Sequence, residues 1–424
     1  MKKIILVLMM LIGITSSASA ELRVSLTEGV FKPIPVAIPV FAGEGGQEIT
    51  QVIVNDLESC GLFKLVDPAA YIQSSQDVMS TPRFADWRIL HAEALVGGLV
   101  RSQGGAVQVD FRLFDIFTES QLTGLSLSAD PNNWRQVAHK IANAIYERLT
   151  GDPGYFDTRI TYIAESGPET NRSYRLAIMD QDGANHQYLT SGNSLVHTPR
   201  FSPDRTKIAY LDFGERNKRP NLKIYDLQTG QSTSLREAHG MRMTPRFSND
   251  GSHLLLSVAE NGTTCLYKMH LGSQQLEKLT SSAGAIDVSP CYCDKGQNIV
   301  YNSDKGGSPQ LYVKSAMGGE GKRISFGKGQ YFNPIWSPRG DLICFIRKNG
   351  GTFSLGVMGT DGSGERLLDS GYLIDGVTWA PNGTRLVYTY QAGPRAKSTL
   401  RSISITGHGK GTLNIPGEGS HPSW

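Results

Sequence analysis

Six short stretches of this 424-residue chain carry polar or polarisable side chains at one recurring place. They are His197-Thr198, Met243-Thr244, Val288-Ser289, Asn333, Asp375-Gly376 and His421, each just before a proline or, once, before Val377. Met241, Asp287 and Tyr331 stand slightly upstream in the same stretches. Imidazole, hydroxyl, carboxamide and carboxylate groups mixed with methionine and tyrosine suit recognition of a partner. Any one of these residues can equally well satisfy its own backbone neighbours. As a ring on loops held by a rigid scaffold, they point to a binding face.

Catalytic spacings are missing. The chain has no G-x-S-x-G elbow, no H-E-x-x-H and no P-loop lysine motif. His91-Ala92-Glu93 with Pro290-Cys291-Tyr292-Cys293 echoes a zinc deaminase, but that pattern needs C-x-x-C. "GEGGQE" from Gly43 reads as a flexible loop rather than a phosphate cradle. "DQDG" from Asp180 and "TDGSG" from Thr360 read as hairpin turns, because the bidentate glutamate of a calcium loop does not follow. No catalytic residue, metal ligand or cofactor is assigned.

The elements that position the ring follow from its period. Pro199, Pro245, Pro290, Pro334, Val377 and Pro422 are separated by 46, 45, 44, 43 and 45 residues. "HTPRFSPDRTKIAY" from His197 reads as strand, tight turn, strand, with Pro203 and Asp204 supplying the turn. A third strand such as "NLKIYDL", a turn and a short fourth strand complete each unit. Four strands repeating every 40–50 residues make the blades of a β-propeller. "RITYIAES" from Arg159 opens a unit that lacks its first strand, and the terminal "HPSW" is a first strand with nothing after it. Joining the two gives six blades and no open sheet edge. The first strand of each blade lines the channel, so the ring lies at one channel mouth.

Residues 21–150 do not follow the repeat. "PVAIPVF", the paired runs around Gln103-Gly104-Gly105 and "QLTGLSLS" read as strands. "ITQVIVNDLESCGLF" and "NNWRQVAHKIANAIYERLTG" read as helices stopped by Gly61 and Gly151. The expected fold is therefore an N-terminal α/β domain at 21–150, a linker at 151–158, and an all-β six-bladed β-propeller at 159–424 closed by the C-terminal strand.

The first 20 residues have Lys2 and Lys3, an apolar run Ile4–Ile14 and Ala18-Ser19-Ala20, the pattern of a signal peptide cleaved between Ala20 and Glu21. The apolar run is too short to span a bilayer, and the leader's simple form points to the periplasm. The 42 basic and 39 acidic residues fall to 40 against 39 without Lys2 and Lys3. So balanced a charge argues against nucleic acid or an anionic membrane as partner. Five cysteines are an odd number, and no disulfide framework is visible. Cys265 and Cys344 read as small core hydrophobes.

The leader, the α/β domain with "GGLVRS" and "VDFRLFD", and the repeats ending in "HPSW" together resemble the TolB family of the Gram-negative Tol–Pal system. The resemblance covers essentially all of the mature chain. It implies a non-enzymatic periplasmic adaptor supporting outer-membrane integrity and constriction at cell division, with no cofactor. It implies binding of the lipoprotein Pal by the channel-mouth loops, with other Tol and outer-membrane proteins as further partners. Carried over position by position, the Pal contacts fall on Met241, Thr244, Val288 and Ser289; the family often shows His or Thr at two of these places, where this chain has Met241 and Val288. The inner-membrane protein TolA would be met by the mature N-terminus, Glu21, Leu22, Arg23, Val24, Ser25 and Leu26. The alternation of Leu22, Val24 and Leu26 also allows that segment to add to a sheet edge or to pack on its own domain. An alternative is a propeller lyase acting on acidic sugars through a channel metal, for which His197 and His421 are the hint. An oligopeptidase-type hydrolase would need a further Ser-His-Asp domain after the propeller.

Overall fold

The structure, a computed structural model, describes residues 32–214, 220–236, 240–281 and 284–424. The signal peptide and the segment Glu21–Leu26 lie outside the described residues.

The N-terminal domain is a five-stranded sheet in the order β2-β1-β3-β4-β5. Its strands are β1 (Ile34–Ala37), β2 (Phe63–Leu65), β3 (Ala94–Gln103), β4 (Ala106–Asp115) and β5 (Ser120–Ala129). β1 pairs in parallel with β2 and β3, and the rest is antiparallel. Helices α1 (Gly46–Cys60) and α4 (Trp134–Thr150) present Ile49, Ile53, Leu57, Ile141, Ile145 and Leu149 to one continuous core. Gly151 caps α4 in the left-handed region at φ 79°. The short helices α2 (Ser75–Ser80) and α3 (Phe84–Ile89) have no forecast in the sequence. A Ser74–Asp77 capping box starts α2, and Trp87 anchors α3 beneath the other face.

The C-terminal part is six four-stranded sheets. Their inner strands are Val196–Phe201, Met241–Phe247, Asp287–Tyr292, Gln330–Trp336, Leu373–Trp379 and Glu418–Ser423. The last of these joins the sheet begun at Arg159, with Glu418 opposite Glu165 and Ser423 opposite Thr161. The ring closes as the unmatched ends of the sequence require. All five cysteines are free thiols.

Every inner strand contains the same irregularity. The residue before the proline, or before Val377 in the fifth, has positive φ: Thr198 47°, Thr244 48°, Ser289 54°, Asn333 47°, Gly376 58° and His421 52°. At each of these places the register slips, so that two residues face one on the next strand. Proline disfavours the right-handed helical region for the residue before it, and a bulge absorbs the extra residue. Gly376 is needed for another reason: a Cβ there would meet the His421 Cα at 2.7 Å.

The two domains share one core. Tyr146 of α4 packs edge-on to Tyr155 at 5.7 Å and Phe156 at 5.6 Å, and Tyr155 meets Trp424 at 5.3 Å. The Trp424 indole N–H donates to Thr158 Oγ1 at 2.7 Å. Arg385 donates to the Cys60 carbonyl, and Asn382 to that of Pro153. Trp424→Ala removes a buried aromatic from ring closure and domain interface together. It is expected to cost about 3–5 kcal/mol, read as a lower urea midpoint; an unchanged midpoint would show that the closure stands without this anchor.

Candidate functional site

The left-handed bulge decides which side chains reach the channel. Thr198, Thr244, Ser289, Asn333 and His421 line a cavity of about 180 Å³ at one mouth, with His197, Asp375 and Gly376 beside them. Their polar atoms connect across blades. Ser289 Oγ donates to Asn333 Oδ1 at 2.8 Å, and Asn333 Nδ2 donates to Asp375 Oδ1 at 2.6 Å. Asp375 Oδ2 lies 3.4 Å from His421 Nε2, and the His421 and His197 rings are 3.9 Å apart. Thr244 Oγ1 shares a 2.8 Å hydrogen bond with Ser257 Oγ, a hydroxyl that also accepts from the Ser289 N–H.

Two atoms in this ring lack partners: Thr198 Oγ1 and His421 Nδ1 are buried and make no hydrogen bond. Unsatisfied polar atoms at the floor of a pit suit a ligand that brings its own donors and acceptors. Burial, reinforced by the charge of His421, drives the His197 imidazole down to about 3, so it is neutral across ordinary pH. Burial opposes the Asp375 carboxylate, but His421 and the Gly376 N–H hold it below the usual range. The site therefore presents a fixed anion and a neutral imidazole.

The remaining expected residues lie elsewhere. Tyr331 and Asp287 were expected at the mouth, yet both are fully buried, at 0% exposure. They sit two residues before the bulge, where the pleat turns side chains between blades; Val196, Arg242 and Ile374 occupy the same place and are buried too. Tyr331 donates its hydroxyl to Glu365. Met241 is 40% exposed outside the cavity, and Met243 and Val288 are half-buried.

Some groups had no forecast. Arg200 and Arg246 follow the proline directly, and the bulge returns them to the channel. Between the domains, Asp56 of α1, His139 of α4 and Asp182 bring ligand-type atoms within 4.8 Å of one another. This is the group among the described residues with the spacing to hold a metal, and it lies outside the channel. Arg135, which hydrogen-bonds Asp182, places a cation there already. Asp56 Oδ2 and His139 Nδ1 are 2.6 Å apart. Burial lowers the His139 pKa, but the hydrogen bond and charge of Asp56 and the charge of Asp182 outweigh it, leaving it raised. Asp56 is raised as well, by its burial. With both partners raised, one shared proton in the 2.6 Å contact is the state that the geometry favours.

His197 yields a signed pH prediction. The unfolded chain takes up a proton near the ordinary histidine value of 6.5, which the folded chain refuses until about 3. Stability from this residue is therefore full above 6.5 and drains as the pH falls toward 3. His197→Gln should lose less stability than the parent between about pH 7 and about pH 4.5. Parallel urea titrations check this; equal losses would show that His197 is solvated in the fold.

Comparison with known proteins places this geometry. The TolB amino-terminal domain family matches residues 22–122 and the TolB beta propeller domain family matches residues 146–424. The Tol-Pal system protein TolB of Gluconobacter oxydans (strain 621H) is 43% identical over 414 residues, 96% of this chain and 89% of that protein. Its namesake from Paramagnetospirillum magneticum (strain ATCC 700264 / AMB-1) is 50% identical over 231 residues, 53% of this chain and 51% of that one. The crystal structure of TolB from Acinetobacter baumannii superposes with a TM-score of 0.82 at 26% identity, covering 95% of this chain and 99% of its own. With both domains matched in order and 96% of the chain aligned to a relative at 43% identity, this protein belongs to the TolB family.

Proposed function

We propose that this protein is a periplasmic adaptor of the Tol–Pal system that works by binding and not by catalysis. Its leader is removed after Ala20. It takes the lipoprotein Pal at the channel mouth formed by His197, Thr198, Thr244, Ser289, Asn333 and His421, with Met241, Met243 and Val288 on the rim. It takes TolA through Glu21–Leu26. The observation that carries this reading is the ring itself: polar groups from all six blades converge on a pit with unpartnered Thr198 and His421 atoms. Convergent polar atoms on a rigid scaffold are what a docking loop needs. No nucleophile in the ring stands against a free base: the hydroxyls of Thr244 and Ser289 bond to Ser257 and Asn333. Family membership supports a place in the Tol–Pal system, and among the described residues no helix is long and apolar enough to cross a membrane.

Titration calorimetry of the chain from Glu21 to Trp424 with the soluble domain of Pal is the first test. Saturable one-to-one binding is expected, and absence of heat with folded protein would overturn the Pal assignment. Thr244→Arg fills the pit and should weaken Pal at least tenfold, with Thr244→Ser near the parent. Wild-type affinity in Thr244→Arg would remove this mouth from the interface. Deleting Glu21–Lys32 should abolish TolA binding while leaving the melting temperature within a few degrees; retained binding would refute the role of that segment.

A further inference from the structure

The opposite mouth of the channel holds a second cavity, of about 370 Å³, ringed by the hairpins at Ser202-Pro203, Ser248-Asn249 and Ser337-Pro338. Arg200 and Arg246 reach into it from the inner strands, at a place where the other four blades carry Cys291, Ile335, Thr378 and Ser423. Arg205 reaches it from the first hairpin. Three guanidinium groups in one cavity repel one another, and such charge is normally matched by carboxylates. Here no such pairing is made: neither Arg200 nor Arg246 forms an ion pair among the described residues. The lining holds one acidic side chain, Asp294, and the α-carboxylate of Trp424, while Asp375 attracts Arg200 from the other cavity. Arg200 Nη1 donates to the Pro199 and Pro422 carbonyls at 2.8 and 3.3 Å, and Arg246 has no hydrogen bond among the described residues. Arg205 Nη1 is buried with no partner, and its guanidinium lies over the Phe201 ring at 5.8 Å. Burial lowers the pKa of all three groups; Arg246 depresses Arg200 further and Arg159 depresses Arg205.

The cavity also offers neutral donors. Thr378 Oγ1 accepts from the Trp424 N–H, and Ser423 Oγ accepts from the Phe201 N–H. Each hydroxyl still has its proton to give. Forked guanidinium donors with hydroxyls beside them match the oxygens of a phosphate or a carboxylate pair. Trp336, Trp424 and Tyr292 wall the space and lower its dielectric, which strengthens each charged contact.

We propose that this cavity is a binding site for a small doubly charged oxyanion, gripped by Arg200, Arg246 and Arg205, the first two of which also line the small cavity at the other mouth. The test uses the chain from Glu21 to Trp424 in low-salt buffer, titrated separately with inorganic phosphate and succinate by calorimetry and thermal melting. Saturable binding of at least one anion is expected, with a melting temperature rise of roughly 2 °C at saturation. Phosphate alone would define a tetrahedral site and succinate alone a dicarboxylate site, and either supports the proposal. Arg246→Met should abolish the response without lowering the melting temperature of the anion-free protein, because it removes like-charge repulsion. Arg246→Lys, which keeps the charge and loses the fork, should bind at least tenfold more weakly. The exposed Arg395→Met should bind as the parent does. No saturable response to either anion up to about 10 mM, or an undiminished response in Arg246→Met, would overturn the site.

Discussion

The site depends on one backbone constraint, the left-handed residue before the repeat proline. Residues with a Cβ resist that conformation by roughly 1–2 kcal/mol each, and five of the six blades place one there. The cost is offset locally. Ser257 Oγ bonds Thr244 and the Ser289 N–H, and Thr389 Oγ1 accepts from the His421 N–H at 2.9 Å. These hydroxyls come from second strands and reach across to the next blade's bulge, so the strained residues also stitch neighbouring blades together. The bulge turns three alternate positions toward different places. The residue two before it goes between blades, the bulge residue goes to one mouth, and the residue after the proline goes to the waist and far mouth.

The N-terminal domain adds rigidity at the far side of the ring. One apolar core runs from β1 and α1 through α4 and the linker aromatics into the closing blade. Polar groups finish the same seam, where Asp56 accepts from Gln181 and faces His139. A signal from one domain to the other has a short, packed path through Tyr146, Tyr155 and Trp424. The small cavity at one mouth and the arginine cavity at the other are joined by Arg200 and Arg246, which line both.

Much of this was legible from repetition. The recurring proline phrase gave blade number, strand order and the closing fragment, because each blade must solve the same packing problem with the same period. The helical stripe on α4 and its glycine stop were also plain. Side-chain direction at the mouth was not. Simple strand alternation cannot know that a bulge resets the pleat, so Asp287 and Tyr331 went to the wrong face. The arginines after the proline were visible as residues, but their want of carboxylate partners is a property of six strands meeting. His139 and Asp56 are 83 residues apart and belong to different helices, so no local spacing could join them.

Closure has a kinetic side as well. The strand that completes the first blade lies about 255 residues beyond its partner, as the Ser420–Glu165 contact measures. Until the C-terminal strand docks, the blade begun at Arg159 waits for its inner strand. Chain entropy adds little to that delay, since loop cost grows only with the logarithm of length. During the wait, the strand Arg159–Ser166 offers a row of unpaired amides and carbonyls to any passing strand. The most vulnerable stage of folding thus falls between forming the first propeller strand and docking the last, when a holding chaperone would have most effect.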